Sequence, residues 1–353
     1  MKGLLFALGA PLVAGLPASS DAEPLPRAKD EAFPVLGLAN ITRIGMSDLQ
    51  GRAFSGPFLG VNFPDPSIIY GDGSWKAYAT SSNGKKVPVA TSPDTGSWTL
   101  TGNDALPDPG SWVDSGDQGI WAPDVQKNDA GTYVMYYTAR KSGGTHCVGA
   151  ATSATALGPF TPQAAPLVCD DAGGGIIDPS GYDDGTDRWL LWKVDGNSLG
   201  GATTCQGGTP SGSYISTPIK IQRVARDALT LLDSPSQILD NEGASNNGVV
   251  EAPSLYKIGN GNYILFYSAH CYSSDDYDIE YAFSSTINGA YTNRGILIRS
   301  VDNKGVFGPG GLDIDPNGSS VVFHGRVNAN DGGGIRELYS ASLTINGQSV
   351  GGV

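Results

Sequence analysis

Ala252-Pro253-Ser254-Leu255, a polar turn, then Tyr263-Ile264-Leu265-Phe266-Tyr267: this stretch decides the fold, because the chain states its plan five times. The other versions are Asp65-Pro66-Ser67-Ile68 with Trp75-Lys76-Ala77-Tyr78-Ala79, Ala122-Pro123-Asp124-Val125 with Tyr133-Val134-Met135-Tyr136-Tyr137, and Asp178-Pro179-Ser180 with Trp189-Leu190-Leu191-Trp192. The last and weakest is Gly311-Leu312-Asp313-Ile314 with Val321-Val322-Phe323-His324. Starting at 65, 122, 178, 252 and 311, the units lie 57, 56, 74 and 59 residues apart. Three of them add a strand, a turn and a closing aromatic: Val89–Ser92 with Trp98, Gly149–Ser153 with Phe160, and Tyr281–Ser285 with Tyr291. Fifty-odd residues carrying about four short strands is the arithmetic of a propeller blade, whose radial repetition leaves only short sheet edges. The fold expected is all-β, a five-bladed β-propeller in a single domain over residues 56–353. A sandwich or β-helix of this composition needs no repeat so long. The longer third interval holds an inserted loop at 196–216.

Composition agrees. Glycine supplies 50 of 353 residues, about twice the usual ~7%, and only 16% of residues are charged, which excludes a helical bundle or coiled coil. With 39% hydrophobic residues, including 6 Trp, 15 Tyr and 10 Phe, there is ample apolar surface for a core. A net charge of −13 repels phosphate backbones and anionic lipid surfaces, so neither nucleic acid nor membrane is an expected partner.

Met1-Lys2, the apolar run Gly3–Leu16 and the small residues Pro17-Ala18-Ser19-Ser20 read as a secretory signal peptide over 1–20, too short to span a bilayer. Residues 21–55 read as a lead segment or propeptide, and the protein is expected to be secreted and monomeric. Secretion admits disulfides among Cys147, Cys169, Cys205 and Cys271, with three connectivities open. No CxxC pair exists, and His146, His270 and His324 do not cluster at metal-ligand spacing, so no metal site is expected.

The residues that open the repeats carry the chemistry. Asp65, Asp178 and Glu251 each stand among apolar and proline neighbours. Carboxyls so flanked are partly desolvated, and acids converging on one pocket push their pKa values apart. Two carboxyls with separated pKa values suffice for glycoside hydrolysis, one protonating the leaving oxygen while the other activates water or attacks.

The set Asp65 in Phe63-Pro64-Asp65-Pro66-Ser67, Trp121-Ala122-Pro123-Asp124, Asp178-Pro179-Ser180 and Glu251-Ala252-Pro253-Ser254 resembles glycoside hydrolase family 43, the five-bladed arabinanases, arabinofuranosidases and β-xylosidases, over about residues 60–345. The resemblance implies that Asp65 is the general base, Glu251 the general acid, and Asp178 a third carboxylate that orients the acid and adjusts its pKa. It implies an inverting reaction that needs no cofactor, with base and acid roughly 6.5–9.5 Å apart. The expected substrate is an α-L-arabinofuranosyl linkage in plant cell-wall arabinan or arabinoxylan. A β-D-xylosidase is the alternative, and a non-catalytic carbohydrate-binding propeller the alternative of another class; exo or endo action stays open. Many members carry Gly-Pro-Gly-His in the last blade, its histidine serving a central ion or water cluster, whereas this chain reads Gly308-Pro309-Gly310-Gly311, so whether a central calcium is bound stays open. Phe63, Trp121, Asp124, His324 and Arg326 are the candidate substrate-binding residues. Asp124 is as readily a strand cap, His324 a structural residue and Arg326 a surface one, while Trp192 belongs to the core.

Overall fold

The computed structural model describes residues 54–196, 199, 205, 214–259, 261–302 and 305–352; residues 1–20, read as a signal peptide, and most of 21–55 and of the 196–216 insertion lie outside them. After the short strand β1 (Phe54–Ser55), the chain lays down antiparallel sheets of four or five strands in succession. Blade 1 is β2 (Ser67–Gly71), β3 (Ser74–Tyr78), β4 (Pro88–Ser92) and β5 (Thr99–Asp104). Blade 2 is β6 (Trp121–Lys127), β7 (Tyr133–Arg140) and β8 (His146–Ser153), with β9 (Thr161–Pro162) and β10 (Val168–Cys169) both pairing with β8. Blade 3 is β11 (Ile176–Asp183), β12 (Arg188–Val194), β13 (Ile219–Val224) and β14 (Ser236–Leu239); blade 4 is β15 (Val250–Lys257), β16 (Tyr263–Ala269), β17 (Asp278–Ser284) and β18 (Thr292–Ile298). Blade 5 takes β19 (Phe307–Ile314), β20 (Ser320–Arg326) and β21 (Glu337–Ser342), and its outermost strand is β1. A hairpin of β22 (Thr344–Asn346) and β23 (Ser349–Gly351) follows.

The aromatic-rich second strands read as unbroken apolar runs because a blade covers each of their faces. Every residue of β16 is buried, as are Tyr133–Ala139 of β7. The core is accordingly divided by interface. Tyr78 and Val89 meet Val125, Met135 and Tyr137 between blades 1 and 2; Tyr136 and Val148 meet Leu190 and Trp192 between blades 2 and 3. Leu191 and Ile221 meet Leu265 and Tyr267 next, Ile264 and Phe266 meet Leu312 and Phe323 after that, and Val322 and Leu338 meet Phe63, Ile68 and Ala77 where the ring closes. Each such large side chain fully buried stabilises the fold by about 1.5–3 kcal/mol.

One boundary differs from the sequence reading. Phe54 and Ser55, assigned there to the lead segment, pair with Ala341 and Ser340, so the start of the propeller completes its last blade. Phe54 sets its ring edge-on against Phe323 and Tyr339 at 5.7 and 5.8 Å. Disulfides join Cys147 to Cys169, within blade 2, and Cys205 to Cys271.

Candidate active site

The five innermost strands β2, β6, β11, β15 and β19 surround an axial space, and each begins the same way. Asp65, Ala122, Asp178, Ala252 and Gly311, at equivalent places in the five repeats, all adopt left-handed backbone with φ of +52°, +41°, +55°, +50° and +57°. In the last four blades a register shift marks a bulge there. Bulges of this kind leave an N–H without a ladder partner and turn the side chain off the strand's alternation. Here the orphan donors are satisfied from blade to blade. Ala122 N–H donates to Thr80 Oγ1 at 2.8 Å, Asp178 N–H to Thr138 Oγ1 at 3.0 Å, Gly311 N–H to Ser268 Oγ at 2.9 Å, and Asp65 N–H to His324 Nδ1 at 2.9 Å. Blade 3 breaks the pattern. At the place of Thr138, Ser268 and His324 it carries Lys193, and Ala252 N–H donates instead to Asp178 Oδ2 at 2.9 Å.

Freed from that duty, the buried Lys193 reaches Glu251 Oε2 at 3.2 Å, while Tyr277 donates its hydroxyl to Glu251 Oε1 at 2.8 Å. Asp65 is held from blade 5 and from within its own blade: Arg336 Nη1 donates to its Oδ1 at 2.9 Å and Thr80 Oγ1 to its Oδ2 at 2.6 Å. Asp65, Asp178 and Glu251 thus line one pocket of roughly 290 Å³, together with Thr80, Trp121, Lys193, Tyr272, Tyr277 and Arg336. Tyr272, half exposed, lies against the Arg336 guanidinium at 5.3 Å, and the exposed Trp121 leans on His146 at 4.1 Å between ring centres.

The carboxyls differ in electrostatics. Burial, the largest single influence, pushes Asp65 up, but the Arg336 guanidinium and the hydrogen bonds from Thr80 and Arg336 together hold it below the ordinary carboxylate range. Asp178 goes the other way: burial, then the charges of Glu251 and Asp65, raise it well above that range against the opposing pull of Lys193 and the Ala252 N–H. One carboxyl is held toward its ionised form and its neighbour is pushed toward its protonated form, the kind of separation that acid–base work in one pocket uses.

The predicted substrate-binding residues divide. Trp121 lines the pocket; the other four do not. Phe63 is fully buried between blades 5 and 1, because the left-handed turn at Asp65 breaks the alternation that would have set the two side chains on one side. Asp124 lies deeper along the axis, accepting Gly181 N–H at 2.6 Å and so bracing blade 2 to blade 3. His324 is buried with Nδ1 accepting the Asp65 N–H; burial and then the Arg336 charge push it down to about 3, so it is a neutral support for Asp65. Arg326 is neither at the surface nor in the pocket: its Nη atoms hold the carbonyls of Tyr272 and Ser274 and the Asp275 carboxylate.

Thr80, Lys193, Tyr272, Tyr277 and Arg336 went unread in the sequence. The one local signal was a lysine inside the buried run Trp189–Val194. The family's calcium finds no donor at Gly311, where a Cβ would stand 2.8 Å from His324 Nδ1 and 3.0 Å from Asp65 Cα. The residues present do not fit a histidine-held ion at that position.

The chain is similar to known proteins along most of its length. The chain is 28% identical over 283 residues to a probable arabinan endo-1,5-alpha-L-arabinosidase C of Aspergillus flavus, covering 71% of this chain and 80% of the relative. It is 26% identical over 324 residues to a probable arabinan endo-1,5-alpha-L-arabinosidase A of Emericella nidulans, covering 85% and 92%. Among solved structures, a thermostable family-43 glycoside hydrolase superposes with TM-score 0.69 at 26% identity, covering 84% of this chain and 94% of that one. An arabinanase of Bacillus subtilis superposes with TM-score 0.62 at 25% identity, covering 81% and 95%. Since the model of glycosyl hydrolases family 43 matches residues 54–339, the chain belongs to that family and is a glycoside hydrolase.

Proposed function

We propose that the enzyme hydrolyses α-1,5-linked arabinofuranosyl chains of plant arabinan with inversion, acting within the chain, and that it is secreted. The observation that carries the mechanism is the convergence of the carboxyls on one pocket, with Asp65 pulled down by Arg336 and Glu251 held by the Tyr277 hydroxyl and the Lys193 ammonium. Asp65, ionised, takes a proton from a water that attacks the anomeric carbon. Glu251, aimed by Tyr277 and Lys193, gives its proton to the departing glycosidic oxygen. Asp178, which holds the Ala252 N–H next to Glu251, fixes the backbone that carries the acid. Trp121 and Tyr272 offer flat faces to sugar rings at the rim. Carboxyls and water complete this reaction, so no cofactor enters it. The names of the Aspergillus flavus and Emericella nidulans relatives support arabinan and internal cleavage, and the two disulfides support an oxidising, secretory route.

A xylan-directed reading has one specific support, a Bacteroides thetaiotaomicron structure described as an endo-1,4-beta-xylanase, at 25% identity and TM-score 0.63. Proton NMR of the first minutes of reaction on debranched arabinan and on xylo-oligosaccharides separates the two. The expected result is arabino-oligosaccharides whose new reducing end is initially the β anomer. Retained α product would remove the roles given to Asp65 and Glu251, and xylose release alone would move the substrate. Glu251→Gln should cost about 10²–10⁴-fold in kcat with binding of arabino-oligosaccharide kept.

A further inference from the structure

Away from the pocket, blade 4 carries a second cluster of chemistry-bearing side chains. His270 directly follows β16, and Asp278 and Glu280 stand two residues apart on β17, so their side chains share a face of the blade. One ligand atom from each of the three lies within 4.8 Å of the others. Donors flanking one divalent ion at about 2.1–2.4 Å are separated by at most about 4.2–4.8 Å, so the cluster needs little or no movement to close on a cation.

Its polar atoms also lack the partners that an ordinary buried network supplies. Asp278 is 4% exposed, and its Oδ1 has no hydrogen-bond partner; neither has the buried Nδ1 of His270. Glu280 accepts a hydrogen bond from the Tyr267 hydroxyl at 2.6 Å, a contact that fixes the carboxylate's orientation as an outer partner fixes a metal ligand. Among the described residues no cation pairs with either acid, and the nearby Arg299 is engaged with Asp302. A buried carboxylate oxygen left without a hydrogen-bond partner is costly, and a bound cation removes that deficit.

We propose that His270, Asp278 and Glu280 bind one divalent cation of the zinc or manganese type, the ions that a set of one imidazole and two carboxylates suits. The partly exposed sides of His270 and Glu280 leave room for water to complete the shell. Such an ion takes no part in bond cleavage. It ties together the two feet of the 271–277 loop, since His270 precedes that loop and Asp278 follows it. This loop delivers Tyr272 and Tyr277 to the pocket and is held from below by Arg326, so the ion acts as a clamp on one wall of the site.

The test uses untagged full-length protein treated with EDTA and dialysed free of it, titrated calorimetrically with ZnCl2 and MnCl2 alone, with CaCl2 for comparison, and melted with and without each ion. One equivalent of zinc or manganese should bind with a micromolar or tighter Kd and raise the melting temperature. His270→Gln and Asp278→Asn should each weaken that binding at least 10-fold and abolish the rise. Asp278→Asn should leave the metal-free melting temperature within a few degrees of wild type, because the amide keeps the shape and removes the charge. Absence of stoichiometric binding, or binding unchanged in both variants, overturns the proposal. Because binding and melting are read without substrate, the outcome is independent of which sugar the enzyme cleaves.

Discussion

Among the described residues, Arg336 and Lys193 are the two cations of the pocket, and each is tied to a different acid. Arg336 donates to Asp65, whose burial would otherwise push it up. In Arg336→Gln that upward influence loses its main opponent, so Asp65 should stay protonated to higher pH. The acid limb of the kcat/KM profile, where the free enzyme's base titrates, should move up by about one pH unit or more. A profile that falls in height without moving would mean that Arg336 serves substrate binding only. Lys193 is different in kind, since its ammonium meets the carboxylate expected to act as the acid. A charge-assisted hydrogen bond is worth about 1.5–3 kcal/mol, so Lys193→Met should lower kcat roughly 10–100-fold with KM little changed. A rise in KM at constant kcat would assign the lysine to the sugar instead.

At the scale of the strand, the bulge that opens each repeat is what turns five similar hairpins into a site. Gly311 shows how little room the device leaves. Its φ is +57°, and an added Cβ would stand 2.8 Å from His324 Nδ1 and 3.0 Å from the Asp65 backbone. Gly311→Ala should therefore destabilise the fold by about 1–3 kcal/mol and also lower kcat, because the atoms displaced are those that hold Asp65. A variant with wild-type melting and activity would show that blade 5 yields freely there. The bulge also explains how far the sequence could be read. Proline-marked starts and aromatic strands are local signals, and they made five blades and three acids legible. Which way a side chain points beyond the bulge is not local. Phe63 packs into the core between blades 5 and 1, Asp124 braces blade 2 to blade 3 along the axis, and His324 lies one blade away from the residue it supports. Lys193, Tyr277 and Arg336 reach the acids from strands and loops 26 to 271 residues distant. β1 escaped for the same reason, since two residues become a strand only when β21 is beside them.

At the scale of the whole molecule, the ring closes around an axis that carries buried acid as well as apolar surface. Asp313 accepts the Ile68 N–H at 2.8 Å and the Ser254 hydroxyl at 2.6 Å, joining blade 5 to blades 1 and 4, while Asp124 joins blades 2 and 3. Burial, and then the charge of Asp124, raise Asp313 to about 8, and burial raises Asp124 as well. A carboxyl whose pKa is higher folded than unfolded binds protons more tightly in the native state. Its contribution to stability is therefore complete below the unfolded value of ~3.9 and is lost as pH rises toward the folded value. Each such group steepens the decline by at most about 1.4 kcal/mol per pH unit. The propeller should thus melt at progressively lower temperature from about pH 5 to pH 8, and Asp313→Asn, which mimics the protonated acid in shape and charge, should flatten that fall. If wild type and Asp313→Asn lose the same number of degrees over this range, the axial carboxyl is ionised throughout, and the joint between blades 5, 1 and 4 is a charged one.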